Sequence, residues 1–178
     1  NHRLVEELNL CSPALEEKLF ALEEHGKTVI LLCDSSGPLA LFAVADTVKE
    51  SSREAIRELH ELGIKTLMLT GDNPHTASAI AAQVGIDQAQ GNLLPDDKLK
   101  AIEALYAQGH HVGMVGDGIN DAPALARAEI GFAMAAAGTD TAIETADVAL
   151  MDDDLRKIPA FIRLSRQTSS ILKQNIAL

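Results

Sequence analysis

The chain has 178 residues, 47% of them hydrophobic, and its 26 acidic against 15 basic side chains leave a net charge of −11. That length allows one domain, or one domain and part of another. The charge argues against nucleic acid as a partner, because duplex binding needs a cationic footprint. With 3% aromatic residues and no Trp, the core must be aliphatic. No run approaches the ~18 apolar residues of a membrane span, and NHRLVEELNL is not a signal peptide. Cys11 and Cys33 make no disulfide framework and fit a reducing compartment. The chain opens without Met and stops at ILKQNIAL, where an apolar pattern is beginning, so it reads as a piece of a longer protein.

In chain order, Ser12 caps a helix with Pro13 at its first position, Leu15, Leu19 and Leu22 on one face and Gly26 at its end. TVILLC at 28–33 and PLALFAVA at 38–45 flank the turn DSSG and predict a hairpin. After Asp46 the period changes. A helix starting at Ser51 or Ser52 carries Ala55, Ile56 and Leu59, and Gly63 ends it before a strand at 64–70. Pro74 opens a helix bearing Ala77, Ile80, Ala81 and Val84. A short segment at 92–94 leads to a helix from Pro95 to near Gly109, and a strand at 111–115 runs into GDGIND at 116–121. ALARA forms a short helix before a strand at 130–133. A helix at 139–146, a strand at 148–151 and a long amphipathic helix from Asp154 follow, with the run Asp152–Asp154 as capping and solvated surface.

Alternating buried strands and helices predict an α/β fold, with one parallel Rossmann-like sheet and helices on both faces. Ligands of such sheets sit beyond the carboxyl ends of the strands. Two strands end in similar words, LMLT-GDN and GMV-GDG, which places Thr70, Asp72, Gly116, Asp117 and Asp121 around one crevice.

Asp117 and Asp121, with Asn120 between them and glycines on both sides of Asp117, offer oxygen ligands of the kind Mg²⁺ prefers. The competing reading is a loop in which Asp and Gly only make turns. Thr70, Gly71 and the amides after them could hold a phosphoryl oxygen. Asn73 before Pro74 is also a plain helix cap, and the two readings are compatible. Lys98 in LLPDDKLKA is either a solvated surface lysine or the cation that neutralises a phosphoryl group, with Lys100 as its rival. The histidines have no structural zinc spacing, and His110-His111 reads as exposed text.

The order Thr70-Gly71-Asp72, then Lys98 after a Pro-Asp turn, then GDGIND at 116–121, resembles the phosphatase core of the haloacid dehalogenase superfamily. More narrowly it is similar to the phosphorylation domain of P-type cation-transporting ATPases, over essentially the whole chain. AVADTVKESSREAI at 43–56 is similar to the hinge of heavy-metal ATPases, and GFAMAAAGTDTAIETADVALMDDDL at 131–155 resembles the zinc/cadmium/lead branch. The resemblance implies an ATP-driven Zn²⁺, Cd²⁺ or Pb²⁺ exporter with an aspartyl-phosphate intermediate. A copper exporter and a truncated soluble phosphatase of the same superfamily are the alternatives.

Its implied cofactors are Mg²⁺ and ATP. Asp117 would be the main magnesium carboxylate, with Asp121 beside it, and Asn120 would help hold the phosphoryl group and its water. Thr70 and Gly71 would hydrogen-bond phosphoryl oxygens, Lys98 would pair with them, and Asp72 would sit near nucleotide and hinge. Asp46 and Lys49 would lie where the nucleotide-binding and phosphorylation domains join. Residues 1–41 would be the end of the nucleotide-binding domain, 42–154 most of the phosphorylation domain and 155–178 a stalk helix leading to a membrane span. The stripe Leu155, Ile158, Phe161, Ile162 and Ser165 would pack on the phosphorylation domain.

One departure is decisive. The family's nucleophilic Asp lies in DKTGT, and no such motif occurs here; Asp34 in CDSSG is only a faint likeness. The fold is therefore expected to lack its central nucleophile strand and to begin with a hairpin remnant of the nucleotide-binding domain. By itself the fragment is expected to be inactive. Its implied partners are the rest of the same polypeptide: the nucleophile strand, the nucleotide-binding and actuator domains and the membrane helices that carry the transported divalent metal. The expected location is the cytoplasmic side of a plasma membrane, the inner membrane of a bacterium.

Overall fold

The computed structural model describes residues 12–24, 27–34, 37–44, 48–117, 119–136 and 140–177. They fall into two compact units, one of the described residues within 1–49 and 66–92 and the other of those within 50–65 and 93–178.

The first unit opens with α1, Pro13–Glu24, and the antiparallel pair β1, Thr28–Asp34, and β2, Gly37–Val44. Gly37 takes φ 137°, which L residues rarely adopt, and its N–H donates to Asp34 Oδ1 at 3.1 Å, so the hairpin turn is tied by side chain as well as backbone. Ile30, Leu32, Phe42 and Val44 remain about half exposed on the hairpin. The unit continues with β3, Leu67–Leu69, then α3, Pro74–Val84, and β4, Gln88–Gln90, which pairs parallel with β3. Ala77, Ala81 and Val84 bury the inner face of α3, Leu19 of α1 is buried, and Phe20 meets His75 edge-on at 4.8 Å. Gly85 closes α3 at φ 84°, its N–H returning to Ala81 O.

The second unit contains α2, Glu50–Glu61, and α4, Pro95–Ala107. It also holds the parallel strands β5, Gly113–Gly116, β6, Ile130–Met134, and β7, Val148–Leu150, in the order β5-β6-β7. Between strands lie a 3₁₀ turn at Ile119–Asp121, α5, Ala122–Arg127, and α6, Asp140–Thr145; α7, Lys157–Ala177, ends the chain. Leu125 and Ala133 form one buried cluster. Phe132, Leu150 and Ile158 form another, joined by Leu59 and Ile162, with Phe161 standing edge-on to Phe132 at 5.7 Å.

This is the expected α/β architecture, with parallel strands and flanking helices. The parallel strands form two ladders, β3-β4 and β5-β6-β7, and among the described residues β3 and β5 each have a single partner strand. Two details depart from the sequence reading. The strand expected at 64–70 is confined to Leu67–Leu69, because its partner Gln88–Gln90 is only that long; that partner, polar and without an apolar pattern, was not expected at all. The final helix starts at Lys157, not Asp154. Asp154 Oδ1 takes the Arg156 N–H at 3.0 Å, and Asp153, at φ 51°, takes the Ala136 N–H at 3.0 Å. The acidic run is thus partly structural, since side chains that satisfy backbone donors fix a turn instead of solvating.

Candidate functional site

The residues expected at the site fall on two loops, one in each unit. In the second unit β5 runs directly into the GDGIND segment. Gly116 is buried, and a Cβ there would lie 2.6 Å from Asp121 Cβ and 3.1 Å from its Cγ and Oδ2. Only glycine lets the Asp121 carboxylate lie this close against the end of the strand. Asp121 is held from two sides: Lys98 Nζ donates to Oδ1 at 2.7 Å and the Asp117 N–H donates to Oδ2 at 3.4 Å. The Lys98 and Asp121 side chains are only 16% and 11% exposed. Desolvation offsets much of the attraction in such a pair, so its main effect is to place a cation.

Lys98 reaches this position because α4 starts where it does. Pro95 occupies the first helical position, and Asp97 accepts the Leu94 N–H at 3.2 Å through its own carboxylate, since Leu94 has no capping atom. Lys100 turns to solvent, 72% exposed, with Nζ 3.0 Å from Asp97 Oδ1. The Lys100 hydrogen bond, followed by the Leu94 N–H, holds the Asp97 carboxyl below its ordinary range, and the same bond raises Lys100. The two rival lysines therefore differ in surroundings: Lys98 is enclosed beside Asp121, and Lys100 is a surface ion pair.

Asp117 is exposed at the mouth of β5, and no described residue hydrogen-bonds its carboxylate. Asn120 is exposed in the 3₁₀ turn. Gly118 lies outside the described residues. This donor set fits Mg²⁺: one free carboxylate, a fixed lysine for an anionic partner, and no imidazole or thiolate in the segment. No group of three or more His, Cys, Asp or Glu able to hold a metal occurs among the described residues.

In the first unit β3 ends at the Thr70–Asn73 loop. The Thr70 N–H donates to Gln90 O at 3.0 Å, which anchors the loop to β4. Thr70 Oγ1 donates to Asp72 Oδ2 at 2.9 Å and accepts the Asp72 N–H at 3.1 Å, while Gly71 and Asp72 remain exposed. Asn73 caps α3, its Oδ1 accepting the Thr76 N–H at 2.8 Å and its Nδ2 donating to Thr76 Oγ1 at 3.0 Å. The loop is thus a helix cap and an exposed hydroxyl–carboxylate pair at once. One support was not foreseen: the Asn92 N–H donates to Asp72 O at 2.6 Å, with Asn92 in the left-handed region at φ 57°. The Gly91-Asn92 pair is a turn signal that could have marked it.

Thr70, Gly71 and Asp72 therefore share one loop, and Lys98, Asp117, Asn120 and Asp121 gather at the other. Lys49 is exposed just before α2, and Asp46 lies outside the described residues.

A model of the haloacid dehalogenase-like hydrolase family matches residues 1–129. A probable cadmium-transporting ATPase of Alkalihalophilus pseudofirmus is 54% identical over 163 residues, which are 91% of this chain and 22% of that protein. A copper-exporting P-type ATPase of Staphylococcus haemolyticus is 45% identical over 176 residues, 99% of this chain and 22% of that protein. The crystal structure of a zinc-transporting PIB-type ATPase in its E2.Pi state superposes with a TM-score of 0.78 at 44% identity, over 93% of this chain and 27% of that one. The chain thus spans about a quarter of the length of the relatives it matches. No helix among the described residues is long and apolar enough to cross a membrane. Over nearly all of its length the chain is similar to heavy-metal P-type ATPases, and with the family match running over most of it the chain belongs to the haloacid dehalogenase-like hydrolase family.

Proposed function

We propose that this chain is the phosphorylation-domain portion of an ATP-driven exporter of Zn²⁺, Cd²⁺ or Pb²⁺ that works through an aspartyl-phosphate intermediate. In this reading residues 1–41 end the nucleotide-binding domain, 42–154 form most of the phosphorylation domain and 155–178 begin the stalk that enters a plasma membrane. The nucleophilic Asp belongs to another part of the polypeptide, since no DKTGT motif occurs in this chain. The partners are the strand that carries it, the rest of the nucleotide-binding domain, an actuator domain and the membrane helices that hold the transported ion.

The observation that carries the reading is the head of β5, where Lys98 is fixed on Asp121 and the Asp117 carboxylate is left open. Bound there, Mg²⁺ supplies charge neutralisation to a phosphoryl group and, with it, to ATP-dependent transfer. Asp117 is its first ligand. Asp121 orients Lys98 and the Asp117 amide, and would be the second carboxylate beside the ion. Asn120 holds the phosphoryl group and its water. The Gly71 N–H and, once its hydroxyl turns from Asp72, Thr70 donate to phosphoryl oxygens, and Lys98 pairs with them. Asp72 keeps the Thr70 hydroxyl oriented and, with Asp46 and Lys49, serves the nucleotide side of the hinge.

Two things support the zinc and cadmium branch over copper: the higher identity to cadmium-transporting relatives, and the zinc-transporting structure that superposes over nearly the whole chain. Stimulation of ATP hydrolysis by Zn²⁺, Cd²⁺, Pb²⁺ or Cu⁺ in the intact parent separates the branches. The mechanism is tested by Asp117→Asn in that parent, with acid-quench labelling from γ-labelled ATP. Phosphoenzyme should fall at least about 10-fold, since an amide is a weaker ligand for Mg²⁺. Normal labelling at physiological magnesium would sink the assignment.

A further inference from the structure

Helix α7 is fastened to α2 by arginines along one side. Arg156 Nη1 donates to Glu54 Oε2 at 3.0 Å and Arg163 Nη2 donates to Glu58 Oε2 at 2.6 Å. One step further along, Arg166 donates through both Nη1 and Nη2 to the carbonyl oxygen of Leu62, each at 3.3 Å. Glu54 and Glu58 of α2 and Leu62, the residue just past its end, are four apart, so the three contacts follow one side of the helix and its terminus.

The Arg166 contact falls where α2 has an unmet need. The helix ends with Gly63 in the left-handed region at φ 76°, with the Gly63 N–H on His60 O at 2.9 Å and the Ile64 N–H on Leu59 O at 3.0 Å. These two bonds satisfy two of the last carbonyls of the helix, in the usual glycine-terminated pattern. The Leu62 carbonyl comes after both, and the guanidinium takes it. A cation at a helix C-terminus is also favoured by the helix dipole. Beyond Ile162 every described residue of α7 is exposed, and the 11 residues from 167 to 177 run about 16 Å past the clasp.

We infer that Arg163 and Arg166 are a coupling clasp: they deliver displacement of the free half of α7 to the end of α2, and through residues 63–66 to the strand that ends at Thr70. This inference rests on the proposed ATPase reading, in which α7 begins the stalk and Thr70 binds the phosphoryl group. Apolar contacts of Ile158 and Ile162 seat α7 on the domain, but apolar packing permits sliding, whereas ion pairs and a two-nitrogen grip on one carbonyl fix rotation and register. Neither arginine touches the residues assigned to the phosphoryl group, so the chemistry and its coupling are separable.

The experiment uses the intact transporter in vesicles and compares two readouts, phosphoenzyme formed from ATP and ATP hydrolysis stimulated by the transported metal. Arg166→Gln and Arg163→Glu should each keep phosphoenzyme within twofold of wild type and lose at least fivefold of the metal stimulation. Arg166→Lys should restore little, because an ammonium cannot grip one carbonyl with two nitrogens. The charge reversal Arg163→Glu with Glu58→Arg should recover more than half of the stimulation that Arg163→Glu loses. Unchanged metal stimulation in the single variants would overturn the clasp, and so would a charge reversal no better than Arg163→Glu alone. A parallel loss of both readouts would also overturn it, because the arginines would then serve the domain's stability. If the wild type itself forms no acid-stable phosphoenzyme, the ATPase reading fails first, which keeps the two failures distinct.

Discussion

Replacing Gly116 by alanine tests whether the Asp121 carboxylate is packed against the end of β5. A carbon–carbon contact is ordinarily about 3.5–4.0 Å, so a Cβ at 2.6 Å from Asp121 Cβ is too close by roughly 1 Å. The neighbour cannot swing aside as a flexible tip would, because the nearest atom is the Asp121 Cβ itself and that residue is 8% exposed. A retreat of that size stretches the 2.7 Å bond from Lys98 out of range. Overpacking of this kind costs about 1–3 kcal/mol, and loosening a hydrogen bond between charged groups about 1.5–3 kcal/mol more. Allowing for partial relaxation, Gly116→Ala should destabilise the chain by about 2–4 kcal/mol, which at this length lowers the thermal midpoint by about 5–15 °C. Urea and thermal unfolding followed by circular dichroism measure it. Gly113→Ala in the same strand is the control: its nearest neighbour is the end of a side chain, Ile130 Cγ2 at 3.3 Å, so the cost should stay below about 1 kcal/mol. In an Asp121→Gly background the Gly116→Ala cost should also fall below about 1 kcal/mol, since the colliding side chain is gone. A Gly116→Ala variant no less stable than Gly113→Ala refutes the packing argument, and so does an equal cost in both backgrounds.

Other outcomes follow from the same contacts. In the intact parent Lys98→Ala should cut phosphoenzyme formation at least about 10-fold while Lys100→Ala leaves it within about twofold, because only Lys98 is enclosed beside Asp121; equal effects would assign the role to the wrong lysine. Asn73→Ala removes the cap of α3 and leaves the buried Thr76 without its partner, so urea unfolding should show a loss of about 1–2 kcal/mol; a change under about 0.3 kcal/mol contradicts it. The Arg156 side chain and amide lower the Asp154 pKa from 3.8 to about 2. A carboxyl depressed in the folded state stabilises above its unfolded pKa and stops doing so as pH falls through the folded value. Asp154→Asn should therefore be less stable than wild type near neutral pH, with the gap closing between about pH 4 and pH 2; a gap independent of pH would mean the ion pair contributes nothing.

The order of nearly all the elements, the hairpin and the loops at TGD and GDGIND were legible in the sequence, because each rests on short-range chemistry. Pro95 and Asp97 start α4 wherever the chain folds, Asn73-Pro74 starts α3, and the apolar runs at 67–69 and 130–134 favour extended backbone whatever surrounds them. The likeness of TGD, Lys98 and GDGIND to a family was likewise a property of the text, and the matches to heavy-metal P-type ATPases agree with it. Other features depended on what meets what. Gln88–Gln90 became a strand only because β3 supplies a partner; two glutamines around one alanine give no apolar period to announce it. Lys98 and Lys100 are neighbours in the sequence, and only the packing of α4 against the β5 loop set one on Asp121 and the other in solvent. The spacing of Asp117 and Asp121 made them look equivalent, yet burial and two donors occupy Asp121 and leave Asp117 open. The grip of the α7 arginines on α2 and its end joins residues about a hundred positions apart. Local propensity acts over a few residues, so the sequence determined most of the elements, while long-range contact alone decided which charge faces which.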